Sequence, residues 1–210
     1  ESISEMTCII DFEDRITFVN QAFLDRYGYT FDQIIGQHVG VLRSPNVPSE
    51  IYDEISHQSR KGGWNGEILN VTKDGREFPV FLRTSQIKDE KGAVIGLAAI
   101  AADITVQKKA EEALKQSEEQ YRKFFEDDLT GDYITTLDGE VLACNPAFAR
   151  IFGFTSVEEV LSTNINALYS DPDERKKFVQ LIREKKRLEY YEMEYIRRDG
   201  KRVYGVENAI

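Results

Sequence analysis

Phe18-Val19-Asn20-Gln21-Ala22-Phe23, followed by Tyr27-Gly28-Tyr29-Thr30, returns later in the chain as Ala143-Cys144-Asn145-Pro146-Ala147-Phe148, followed by Phe152-Gly153-Phe154-Thr155. Asn20 to Asn145 and Gly28 to Gly153 are both separated by 125 positions. Lys73-Asp74-Gly75 and Arg198-Asp199-Gly200 keep the same offset. Three anchors in one register mark a tandem duplication, and a repeat of this length decides the fold before any single element is assigned.

Each copy reads alike. A strand at 7–11, or 133–136 in the second copy, turns at Glu13-Asp14 or Asp138-Gly139 into a strand at 16–19 or 141–144, a hairpin signal. Asn20 or Asn145 is placed to cap a short helix that Gly28 or Gly153 ends. A further short helix is expected at 30–35 or 156–161. The helix at 49–58 or 172–185 shows apolar residues at helical spacing: Ile51 and Ile55, or Phe178, Leu181 and Ile182. A long hairpin follows in the first copy, with strands at 66–71 and 77–87, and a last strand at 93–102. The fold class is therefore α+β: two modules, each an antiparallel five-stranded sheet with short helices on one face. By the register, the second copy stops before its fifth strand, which the parent protein is expected to supply. The expected domains are 1–105, with its N-terminal end trimmed, and 127–210, joined by an amphipathic helix at 106–126.

Asp103-Ile104-Thr105 leads into that connector, which is rich in Glu, Lys and Gln and contains neither Gly nor Pro. Gln107, Ala110, Leu114, Ser117, Tyr121 and Phe124 are spaced alternately three and four apart, the a/d spacing of a coiled-coil seam. Two readings stand: parallel pairing in a homodimer, or a solvated connector lying on its own domain.

The chain has 210 residues, 41% of them hydrophobic, enough for two cores. Its formal net charge of −10 excludes nucleic acid, whose phosphates require clustered Lys and Arg, and direct contact with an anionic membrane surface. Cys8 and Cys144 lie in strand-like runs with no metal-ligand spacing, so no metal site is expected and both read as core residues. No apolar run approaches the roughly 20 residues that span a bilayer, and no signal peptide opens the chain. The expected setting is cytoplasmic, with any membrane anchor elsewhere in the parent protein. No Gly-rich nucleotide loop, Cys-His pairing or zinc spacing is present, so catalysis is not expected within this segment.

The ordered set of Asn-x-Ala-Phe, aromatic-Gly-aromatic-Thr, a basic-Asp-Gly hairpin and a closing Asp-Ile-Thr before a charged helix resembles the PAS sensor family, over both copies. The resemblance implies a sheet cupped around helices to make an internal pocket. It also implies cytosolic sensory input to an output domain, such as that of a histidine kinase, usually in a dimer. Asp103 and Thr105 are then the residues that pass strain to the outgoing helix. For these two alone, a strand end with a helix cap at Thr105 is an equal reading.

Haem-binding members use a helix His; only His38 and His57 are available and the second copy has none, so haem is not expected. The light-sensing branch requires a Cys where Val39 stands, which removes that photochemistry. Flavin-redox members resemble the first copy more closely: Trp64, Gly66, Asn70 and Lys73 match Trp-x-Gly-x-x-x-Asn-x-x-Lys, and Arg43 to Pro48 resembles an Arg-His-Pro-Asp-x-Pro segment with Ser44 and Asn46 replacing its His and Asp. Flavin adenine dinucleotide in the first domain is one alternative, and a space-filling Trp64 is the other. Gly96 to Ala102 presents small side chains that leave volume for large neighbours or a ligand. The candidate pocket residues are Trp64, Asn70, Arg43, Phe23, Phe81, Leu97 and Ala99, and the ligand is an unidentified small molecule. In the second copy, Tyr190, Tyr191, Tyr195 and Tyr204 point to a filled interior or an aromatic interaction face. The functional expectation is a sensory and relay segment of a larger signalling protein; a ligand-free dimerisation scaffold and a flavin-based redox sensor are its alternatives.

Overall fold

One asparagine in each copy fixes the junction between the first strand and the first helix. The Asn20 side chain accepts from Phe23 N and Thr7 N, both at 3.0 Å, and donates to Glu5 O at 2.8 Å. Asn145 repeats the arrangement, accepting from Phe148 N at 2.9 Å and Asp132 N at 3.1 Å and donating to Thr130 O at 2.8 Å. A helix start leaves backbone N–H groups without partners, and an Asn cap answers one of them. Here the same amide also ties the helix to the preceding strand. Gly28 and Gly153 close these helices at φ 77° and 78°, a left-handed conformation that glycine adopts without Cβ crowding.

The computed structural model describes residues 5–210, and the chain falls into two compact units, Glu1–Ala113 and Leu114–Ile210. In the first unit, β1 (Met6–Ile10) and β2 (Ile16–Val19) form the expected hairpin, followed by α1 (Gln21–Tyr27), α2 (Phe31–Ile34) and α3 (Ser49–Lys61). Then come β3 (Gly63–Val71), β4 (Glu77–Lys88) and β5 (Val94–Asp103). The five strands pair antiparallel in the order β2-β1-β5-β4-β3. Strand alternation sets Phe78, Val80 and Leu82 of β4 and Leu97, Ala99 and Ala101 of β5 on the core side. Tyr52, Ile55 and Ser59 are the buried face of α3. Ile51 is 45% exposed, so the expected Ile51–Ile55 face is rotated toward Tyr52. A 3-10 turn at Val39–Leu42, too short to leave a periodic signal, went unanticipated.

The connector α4 runs unbroken over Thr105–Asp127 and has no buried residue. In the second unit, β6 (Tyr133–Thr135) pairs with β7 (Val141–Cys144), α5 (Pro146–Phe152), α6 (Val157–Leu161) and α7 (Pro172–Lys185) follow, and β8 (Leu188–Ile196) pairs with β9 (Arg202–Ala209). Among the described residues this unit has four strands in two separate pairs, so a five-stranded sheet is found in the first unit alone. The Tyr133 hydroxyl on β6 donates to Glu207 on β9.

Replacing Asn145, which is fully buried, with Ala removes a cap and leaves the Asp132 and Phe148 N–H groups unpaired. The expected loss is roughly 2–4 kcal/mol, read as a fall in the urea midpoint of the full chain. A change under about 0.5 kcal/mol, within the range of neutral surface substitutions, contradicts this role.

Candidate functional site

Between the sheet of the first unit and its helices lies a cavity of about 110 Å3. Ala99 and Ala101 on the core side of β5 leave this space, with Leu97 beside them, because their side chains stop at Cβ. Phe23 and Tyr27, one helical turn apart on α1, close one wall, their rings stacked at 4.3 Å. Tyr52 and Ile55 of α3 and Leu42 of the 3-10 turn supply another. The Asn70 amide on β3 donates to the Tyr27 hydroxyl at 2.5 Å. Burial pushes the ionisation of Tyr27 well above the usual tyrosine range, against the opposing hydrogen bond from Asn70. Burial likewise pushes the Cys8 thiol in the wall up to about 12, so it stays protonated.

Of the residues singled out from the sequence, Phe23, Arg43, Asn70, Leu97 and Ala99 meet at this cavity. Trp64 and Phe81 do not line it. Trp64 packs at the margin of the core, where its ring covers Gly66 so closely that a Cβ there would meet it at 2.7 Å. Phe81 alternates with the inward Val80 and Leu82 and stands on the other face of β4, under the Arg83 guanidinium at 5.3 Å. Sequence reasoning passed over Met6, Cys8, Tyr27 and Tyr52 as lining residues. Tyr27 had a signal, since it falls four positions after Phe23 on one helix face.

His38 and His57 are both exposed, and neither lines the cavity. Among the described residues no group of three or more His, Cys, Asp or Glu is placed to hold a metal ion. For a flavin, the pattern residues diverge: Asn70 reaches the cavity, whereas the Lys73 ammonium donates to Gln33 at 2.9 Å. Ser44 and the Asn46 side chain both turn to Glu77. An engineered cavity of about 150 Å3 admits benzene, and an isoalloxazine has three fused rings. The residues as placed do not fit that group.

A chain of contacts leads from the cavity to α4. Tyr27 meets Phe78 edge-on at 5.2 Å, and the Arg26 guanidinium lies over the Phe78 ring, 3.6 Å from its centroid, a cation–π geometry. The same guanidinium binds the Asp103 carboxylate. The second carboxylate oxygen of Asp103 accepts from Thr105 N, the first residue of α4, at 2.8 Å. The cap is thus Asp103 and not Thr105. Burial opposes the charged form of Asp103, but hydrogen bonds from Thr105 and the Arg26 guanidinium outweigh it and hold the carboxyl below the usual range. Ile104 N donates to Pro79 O at 3.1 Å, and Lys108 pairs with Glu67 of β3 at 2.5 Å. The first turn of α4 is therefore held by β3, β4 and α1 together. Along the rest of the helix, Ala110, Leu114, Tyr121 and Phe124 are exposed on their seam.

The second unit fills the same frame differently. Tyr195 stands where the first unit has Asn70, and Tyr133 where it has Cys8. The bridge between Tyr169 and Tyr195 occupies the place of that between Arg43 and Asn70. Tyr133, Phe148, Phe152, Tyr195 and Tyr169 form a continuous series of ring contacts at 4.5–5.3 Å. Tyr190 and Tyr204, by contrast, are 78% and 76% exposed. Ile151 and Val203 replace Arg26 and Phe78 at the same offset, so the cationic link has no counterpart there.

A PAS domain family model matches residues 4–106 and 131–208. A blue-light-activated histidine kinase of Brucella anthropi is 30% identical over 165 residues, 70% of this chain and 33% of that protein. A nitrogen fixation regulatory protein of Klebsiella pneumoniae is 28% identical over 116 residues, 55% of this chain and 23% of that protein. A biofilm dispersion protein of Pseudomonas aeruginosa is 26% identical over 203 residues, covering 92% of this chain and 46% of that protein. This chain therefore spans between about a quarter and a half of these relatives. A solved PAS domain from Colwellia psychrerythraea is 29% identical, with a TM-score of 0.45 over 48% of this chain and 86% of that one.

A double-mutant cycle with Arg26→Met and Asp103→Asn is expected to give a coupling of about 1 kcal/mol or more at neutral pH. Because the folded carboxyl is held low, the coupling persists above the unfolded Asp value of about 4 and is lost as pH falls through the depressed one. Additive single effects at neutral pH contradict the link.

Proposed function

Because the chain belongs to the PAS domain family, we propose that it is the tandem sensory and relay segment of a larger signal-transduction protein. In this reading the first unit takes a small molecule into its cavity, and the second, with its interior filled by aromatic rings, passes the response onward. The Brucella relative's name supports a histidine kinase as the output, reached through the C-terminal side of the segment. Any kinase or cyclase chemistry belongs to that output domain, and the segment itself acts by conformation. Its setting is cytoplasmic; among the described residues no helix is long and apolar enough to cross a membrane.

The observation that carries this reading is the contact series from Asn70 through Tyr27, Phe78 and Arg26 to Asp103 and the start of α4. A ligand that shifts Tyr27 alters the support of Phe78 and Arg26, and Asp103 carries the change into the helix N-terminus. A ligand acts on this equilibrium only through its different affinity for the two arrangements. The exposed Leu114, Tyr121 and Phe124 support a homodimer paired along α4, through which a change at the helix start reaches both chains. That same seam favours the second reading, a dimerisation scaffold that binds no ligand.

Hydrogen exchange separates the two. Filling the cavity with Ala99→Leu is expected to change protection of the amides at 105–110 in the wild-type background, and to leave them unaltered when Arg26 is already Met. An identical response in both backgrounds removes the relay, and no response in either favours the scaffold.

A further inference from the structure

We infer that the cavity of the first unit selects a small neutral aromatic molecule, of one ring or two fused rings, bearing one hydroxyl or ring N–H, of the phenol or indole class. The inference rests on the ligand-binding reading above and names its chemistry. Size comes first: about 110 Å3 is of the order of the apolar cavity that admits benzene. The walls are apolar, from Met6, Phe23, Leu42, Ile55 and Leu97, and favour a hydrocarbon ring.

Polarity enters at the Asn70–Tyr27 pair, whose residues are 8% and 1% exposed. Their mutual hydrogen bond at 2.5 Å uses one donor and one acceptor. With the amide donating, the Asn70 carbonyl oxygen and the Tyr27 hydroxyl proton are left over; with the amide turned, its N–H groups and the Tyr27 lone pair are left over. Either way the pair keeps at least one donor and one acceptor that its mutual bond does not use. A ligand hydroxyl, or an N–H, meets that offer. Ser59 and Thr84, also in the wall, are already bonded to each other, to Ile55 O and to Trp64 N.

Charge excludes the ionic alternatives. Two charged residues border the cavity, and each is engaged. Asp14 pairs with Arg60 at 2.7 Å, and Arg43 lies over the Tyr52 ring at 5.0 Å with Asp53 4.0 Å away. Arg43 is bridged to Asn70 through the backbone, but its guanidinium is already directed to the Tyr52 ring and Asp53, so a carboxylate at the Asn70 end must draw it from both to offset its own lost hydration. The second unit is an internal control, since Tyr195 replaces Asn70 and its ring packs on Phe152.

Calorimetric titration of the full chain with phenol, indole, toluene and benzoate tests this. Phenol or indole is expected to saturate one site per chain, with toluene about tenfold weaker for lack of the hydrogen bond and benzoate not saturating. Tyr27→Phe is expected to bring phenol down toward toluene, and Ala99→Leu to weaken both about tenfold or more by occupying the space, each with an unchanged circular dichroism spectrum. Benzoate binding more tightly than phenol, or a phenol-to-toluene ratio unmoved by Tyr27→Phe, overturns the inference and leaves the ligand-binding reading in place. No saturation by any of the four, together with no small molecule released from the purified chain in mass spectrometry, overturns both.

Discussion

Asp103 holds three parts of the first unit at one point. It is the last residue of β5, its carboxylate grips Arg26 of α1, and it caps the first turn of α4. A carboxylate at a helix N-terminus is favoured by the exposed N–H groups and the helix dipole, and a guanidinium beside it keeps it charged. The position at which the sheet ends, the orientation of α1 and the departure of the connector are thus mutually dependent. Through Arg26 the same group leans on Phe78, and Phe78 on Tyr27 at the cavity wall.

The duplication makes this arrangement informative, because one backbone plan carries two interiors. Both copies keep the Asn staple and the left-handed glycine, which belong to the fold. They part at the positions that determine whether the interior is open. Where the first copy has Cys8 and Asn70 lining the cavity with Ala99, the second has Tyr133 packed on Phe148 and Tyr195 packed on Phe152 and Tyr169. Arg175 adds to the contrast: it is buried in the second unit, bonded to Tyr169 at 3.2 Å and lying over the Phe178 ring. A packed aromatic interior suits an element that transmits a displacement without yielding, since close-packed cores deform little. An open one suits an element that changes on occupancy.

Much of this was legible in the chain because it depends on short-range rules. The Asn and Gly that bound α1 and α5 announce themselves by type and spacing, and the alanines of β5 foretell a gap. Phe81 was misjudged because an aromatic residue in a strand next to inward neighbours looks like core until the strand's phase is known; one residue of phase moves it to the opposite face. Of the two readings Trp64 allows, the space-filling one matches its placement, which the pattern alone cannot decide because position does not fix a rotamer; Gly66 gives the ring a place to lie. The Arg26–Asp103 link joins residues 77 positions apart, and no local pattern reports such a pairing. The extension of α3 to Lys61 leaves no apolar periodicity because its last turns, from Ser56 to Lys61, are polar throughout, the buried Ser59 included.

The central claim is that the two copies differ in being hollow and filled, with the hollow copy joined to the connector. Xenon enters dry apolar cavities of this size, so crystals of the chain equilibrated under xenon pressure report on it directly. The account predicts xenon density against Ala99, Leu97 and Phe23 and none within the core of Phe148, Phe152 and Tyr195. Xenon in the second core, or in neither, contradicts it.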